Sequence, residues 1–150
     1  MANSIAIGVA YQDQAISGGT IDNSIIGGTT AAAGTFTTLT ASSNLVVKSA
    51  TVAATGSSNT DAAAVAGGFT LVTAADATKG VILPTPVAGT VVIIKNADAA
   101  NAILKIYPNS GAAINALTAT TGAYSIAAKT STILVAYSAT QWYSIPLVAS

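Results

Sequence analysis

Ser131-Thr132-Ile133-Leu134-Val135-Ala136-Tyr137 and Trp142-Tyr143-Ser144-Ile145 flank the short run Ser138-Ala139-Thr140-Gln141. Both outer runs are rich in β-branched and aromatic residues, whose side chains suit a pleated, half-covered backbone. The four residues between them are small or polar. The whole stretch reads as an antiparallel hairpin with a four-residue loop.

Working outward, the same alternation of short apolar runs and turn chemistry recurs. Phe69-Thr70-Leu71-Val72-Thr73 places Phe69, Leu71 and Thr73 on one face of a strand, and Val81-Ile82-Leu83 stops at Pro84-Thr85-Pro86. Thr90-Val91-Val92-Ile93-Ile94-Lys95 is β-branched at nearly every position, which suits a strand covered on both faces. Asn96-Ala97-Asp98-Ala99-Ala100-Asn101 then reads as a turn, with Ile103 to Tyr107 returning as the hairpin partner. Pro108-Asn109-Ser110-Gly111 supplies another reversal, and Leu45 to Lys48 suggests one short early strand. A helix competes only at Thr60-Asp61-Ala62-Ala63-Ala64-Val65-Ala66, where Gly67-Gly68 would end one or two turns. Short strands with turn signals roughly every 8–12 residues favour a sandwich or barrel. The expectation is an all-β protein: an extended arm over residues 1–60, then a jelly-roll-like antiparallel β-sandwich over residues 61–150.

Composition bears on how such a domain meets its surroundings. Hydrophobic residues make up 51% of the 150-residue chain and charged residues only 7%, with a formal net charge of zero. An ordinary soluble domain carries roughly 25% charged residues. A surface built from Thr, Ser, Asn and Gln, with no net charge to hold copies apart, favours subunit association. Lys48, Lys79, Lys95, Lys105 and Lys129 are scattered and arginine is absent, so the clustered cations that nucleic-acid binding needs are missing. Without cysteine there is neither a disulfide framework nor a thiolate metal site. Polar residues interrupt every apolar run before the roughly 20 residues a membrane helix requires. Ile5 to Ala10 has no basic residues before it and meets Gln12-Asp13-Gln14 at once, which reads as mature sequence rather than a signal peptide.

Catalytic chemistry finds little to work with. Histidine is absent, which removes the commonest general base and the usual nucleophile pairs. Glutamate is also absent, and Asp13, Asp22, Asp61, Asp76 and Asp98 are dispersed, so a paired-carboxylate site would need tertiary convergence. Asp76 and Asp98 read as turn residues bonding nearby backbone. No phosphate loop, dinucleotide fingerprint or calcium loop is present. The expectation is a protein without catalytic residues, cofactor or metal. Gln141-Trp142-Tyr143 is the one suggestive cluster, since aromatic faces beside an amide can stack on a sugar or a partner; a lone Trp beside a hairpin turn is more often packing.

Ahead of residue 60, Ile16-Ser17-Gly18-Gly19-Thr20 and Ile25-Ile26-Gly27-Gly28-Thr29 form a quasi-repeat about nine residues apart, its isoleucines wanting an apolar partner. The full run Ile16-Ser17-Gly18-Gly19-Thr20-Ile21-Asp22-Asn23-Ser24-Ile25-Ile26-Gly27-Gly28-Thr29-Thr30, with Ala31-Ala32-Ala33-Gly34-Thr35-Phe36-Thr37-Thr38-Leu39-Thr40-Ala41-Ser42 after it, resembles a phrase common in phage tail-fibre and head-fibre proteins. Ala31 stands where proline is usual. Gly80-Val81-Ile82-Leu83-Pro84, Val91 to Asn96, Ile106-Tyr107-Pro108 and Gln141-Trp142-Tyr143 are also similar to phage virion proteins. The resemblance implies a homotrimer on the capsid surface of a virion, a head decoration or cement protein. Its N-terminal segments would associate with each other and with the major capsid protein, and its partners would extend to neighbouring decoration trimers. Ile16, Ile21, Ile25, Ile26, Phe36 and Leu39 are the candidate capsid or trimer contacts. The alternative is a short tail or head fibre, or an adaptor, that binds a host glycan or another fibre protein through Gln141, Trp142 and Tyr143.

Overall fold

A computed structural model describes residue 34 and residues 36–147. The chain divides into two units, Met1–Ser42 and Ser43–Ser150, and all the described strands lie in the second. The described residues are all-β, with no helix among them. In chain order the strands are β1 (Ser49–Ala53), β2 (Ala63–Ala64), β3 (Gly68–Thr73), β4 (Gly80–Ile82) and β5 (Val91–Asn96). They continue with β6 (Leu104–Tyr107), β7 (Ala113–Ile114), β8 (Tyr124–Ile126), β9 (Ser131–Ser138) and β10 (Gln141–Leu147).

These strands do not form a jelly roll. Successive strands alternate between two sheets, one of six strands ordered β1-β3-β5-β9-β10-β7 and one of four ordered β2-β4-β6-β8. Within each sheet the first three strands are parallel: Ser49 lies beside Phe69 and Phe69 beside Ile93, while Ala63 lies beside Val81 and Val81 beside Ile106. Parallel neighbours need a crossover between them, and here the crossover is a strand of the opposite sheet. The chain therefore winds as a short two-sheeted β-solenoid of three coils. Antiparallel strands then close one end, β8 against β6 and β9 against β5, with β10 returning along β9. The expected β9–β10 hairpin is present, though tighter than expected, with Ser138 paired to Gln141 across only Ala139 and Thr140.

Other expectations fail for a common reason: polar linkers turn corners between sheets rather than reversing within one. β6 is not the partner of β5 but lies in the other sheet, parallel to β4. At that corner the buried Asn96 amide donates from Nδ2 to the carbonyls of Ala102 (2.9 Å) and Ile126 (3.3 Å), and its Oδ1 accepts from Asp98 N (3.1 Å). Asp98 Oδ2 accepts from Ala102 N at 3.0 Å, and Asn101 takes a left-handed φ of 60°. At the corner before β4, Asp76 Oδ1 accepts from Thr78 N, Thr78 Oγ1 and Lys79 N at 3.0, 2.7 and 2.8 Å. The residues read as a possible helix start instead form a turn, in which Asp61 Oδ1 accepts from Ser57 N, Ser58 N and Ser58 Oγ. Ala63–Ala64 then pairs with Val81–Ile82. The early strand begins at Ser49 rather than at Leu45. The boundary expected near Thr60 falls inside the second unit, because β1 pairs with β3 through all five of its residues.

The core lies between the two sheets. Val72, Val92, Ile94, Leu134 and Trp142 from the larger sheet and Val81, Leu104 and Ile106 from the smaller are completely enclosed. Burying each large apolar side chain contributes roughly 1.5–3 kcal/mol. Close approach of other backbone requires glycine at several positions, Gly80 and Gly68 among them. A Cβ on Gly80 would sit 2.6 Å from the Tyr107 ring and 2.7 Å from the Lys105 carbonyl oxygen, and Gly68, at φ 67°, lies against the Lys48 carbonyl.

Candidate functional site

Strand alternation puts β-branched and aromatic residues on both faces of the six-stranded sheet. Inward go Thr70, Val72, Val92, Ile94, Thr132, Leu134, Ala136 and Trp142, all buried. The opposite face carries a row in register across five strands, Ser49, Phe69, Ile93, Ile133 and Ile145. Beside it runs a second row of Val91, Val135 and Tyr143. Lys95 is the one charged residue among the strands of this sheet, and its Nζ donates to the carbonyl of Lys129 at the sheet's border.

The face has relief. At its β9–β10 side Tyr137 and Tyr143 meet edge to face, with centroids 5.8 Å apart and rings inclined by 65°. Both are exposed, so they form an aromatic ridge. At the β1–β3 side the small residues Ser49, Ala50 and Thr51 leave a hollow of about 360 Å³ against Phe69 and Leu71. A separate open cleft of about 390 Å³ lies at the end of the coil, between Tyr124–Ala127, Thr130–Ser131 and Pro146–Leu147.

Of the Gln141, Trp142 and Tyr143 cluster, only Tyr143 is presented to a partner. Trp142 is wholly enclosed, in register with Ala136 and Ile114, so its ring packs and cannot stack on a sugar. Gln141 is half-buried, its Nε2 donating to the carbonyls of Asn115 (2.9 Å) and Trp142 (2.8 Å). Phe36 and Leu39 are exposed, whereas Ile16, Ile21, Ile25 and Ile26 lie outside the described residues. The outer row was missed in the sequence, although the signal was there: Val91 to Ile94 suits cover on two faces, and the fold supplies it on one.

The described carboxylates serve the corners. Hydrogen bonds from Thr78 and Lys79 hold Asp76 well below the usual carboxylate range, and those from Ser58 and Ser57 lower Asp61. Lys79 Nζ also lies 3.0 Å from Asp76 Oδ2. Tyr107 is pushed up by burial and by the charge of Asp61, and its hydroxyl donates to the Ser57 carbonyl at 2.6 Å. Among the described residues no three acidic, histidine or cysteine side chains gather as a metal site would require. No family model, curated protein or solved structure matches this chain.

Proposed function

We propose that this protein is a structural, non-catalytic subunit of a bacteriophage particle. In this reading it is a homotrimer that decorates the head surface, binds the major capsid protein and stabilises the shell, with the residues ahead of β1 as its anchoring arm. The observation that carries this reading is the outer face of the six-stranded sheet. It is a broad apolar surface with a single charge, on a chain whose net charge is zero, and it suits repeated packing of subunits rather than capture of a small molecule. The phage-fibre phrase in residues 16–42 supplies the biological setting. Decoration needs rigid, neutral modules more than it needs a pocket, and a short solenoid closed by antiparallel strands is such a module. Cryo-electron microscopy of the phage particle tests this: density at threefold or quasi-threefold positions over the shell is expected, and copies confined to the tail or one vertex would refute decoration.

The exposed Tyr137–Tyr143 pair favours a second reading, a short fibre or adaptor that binds a host glycan. That reading predicts measurable binding of the isolated protein to host polysaccharide, which decoration does not.

A further inference from the structure

We infer that copies of this chain meet through the outer face of the six-stranded sheet, the tyrosine ridge of one copy seating in the hollow beside β1 and β3 of the next. Phe69, Val91, Tyr137, Tyr143, Ile145 and Leu147 form this face with exposures from 36% at Phe69 to 73% at Tyr137. With roughly 150–250 Å² for a large side chain in the open, these six residues expose about 600 Å². The largest apolar patch on an ordinary monomer is roughly 300–600 Å², and each partner in a standard interface buries about 800 Å². The face thus stands at the top of the range for an ordinary monomer and approaches the size a stable association needs.

Its chemistry selects the occupant. A partner that brought charges would have to strip them of water against β-branched and aromatic side chains, and the face's one charge, Lys95, is already engaged by the Lys129 carbonyl at the border. A second copy brings the same pleated, apolar surface with its one charge at the border, and such sheet faces interdigitate at about 10 Å. Relief points the same way, since the ridge and the hollow lie at opposite sides of one face. Contact of ridge with hollow is head to tail, and closes as a ring when the rotation between copies permits. Three as the number of copies rests on the function proposed above; the identity of the face does not.

Sedimentation velocity on the full chain tests the inference, using Ile145→Glu and Phe69→Glu from the two sides of the face. Val87→Glu, in the loop between β4 and β5, is the control. Wild type and Val87→Glu should assemble at micromolar concentration, and the two face variants should associate at least about 100-fold more weakly, as a buried unpaired carboxylate demands. An oligomer indifferent to both charges would overturn the face while leaving the trimer intact. A wild type that stays monomeric would overturn both, whether the capsid or the chain's own arm covers the sheet. Should a variant fail to fold, Ile145→Cys in this cysteine-free chain probes the same face without adding a charge. Its reaction with a maleimide should slow when the protein is concentrated enough to assemble, and an unchanged rate would overturn the inference.

Discussion

Trp142 is the largest side chain shut off completely from solvent, and among the described residues its Nε1 shares with Thr70 Oγ1 the lack of any hydrogen-bond partner. Trp142→Ala should cost about 3–5 kcal/mol, since it removes the ring and leaves a cavity that the paired strands cannot collapse. Urea unfolding of the isolated protein measures it. Thr70 poses the opposite case, because its hydroxyl is buried between the register partners Ala50 and Ile94 with nothing to bond. Thr70→Val keeps the shape and should raise stability by about 1 kcal/mol in the same assay. Asp76 has a folded pKa below its ordinary 3.8, so the stability it contributes is fully present above that value and is lost as the pH falls through the folded one. Thermal midpoints of wild type and Asp76→Ala should therefore differ at neutral pH, begin to approach each other only below about pH 3.8, and converge once the pH has fallen below the lowered folded pKa. A gap that persists in acid would show that the carboxylate's charge is not what holds the corner. This role of Asp76 was legible in the sequence because its bonds run only two and three residues ahead; the enclosure of Trp142 depends on strands far away in the chain and was not.

Strand existence was legible and strand pairing was not. Phe69 to Thr73, Val91 to Lys95 and the β9–β10 hairpin announce themselves through β-branched runs and turn residues, but a polar linker looks the same whether it reverses the chain or carries it to the other sheet. What distinguishes the two at Asn96–Asn101 is the buried amide of Asn96 reaching the Ile126 carbonyl, a contact across 30 residues. Repeat detection did not help either. The parallel registers advance by 20 and 24 residues in one sheet and by 18 and 25 in the other, and the stacked segments Ser49–Ala53, Gly68–Thr73 and Val91–Asn96 share little beyond small or β-branched character. The pairing order carries a prediction of its own. β5 is bonded on both sides, by β3 and β9, whereas β1 and β2 each have one neighbour among the described strands. Hydrogen exchange followed by mass spectrometry should find the β5 amides slowest and those of β1 and β2 fastest; equal protection would mean that another segment covers the edge.

At the scale of the molecule, the place where the chain can be cut separates its two units. Removal of residues 1–42 should leave a cooperative domain with an unchanged β-sheet circular dichroism signal and, if the residues ahead of β1 anchor it as proposed, no affinity for a phage particle. Removal of residues 1–60 also strips β1 from the edge of β3, together with the Phe69 N–H bond to the Lys48 carbonyl, and should lower the thermal midpoint. Equal stability of the two truncations would show that β1 adds nothing to the fold. The candidate contacts in the arm were read from a resemblance, while the outer sheet face follows from register, which no single strand reveals.

Because the coils stack with each touching only its neighbours, height is quantised. One more circuit inserted between β2 and β3 would lengthen the solenoid by about 4.8 Å, the spacing of paired strands, and would leave the closing hairpin as it is. The solenoid can therefore change length only by whole steps, as a ladder does by rungs, without redesigning the strands that close it.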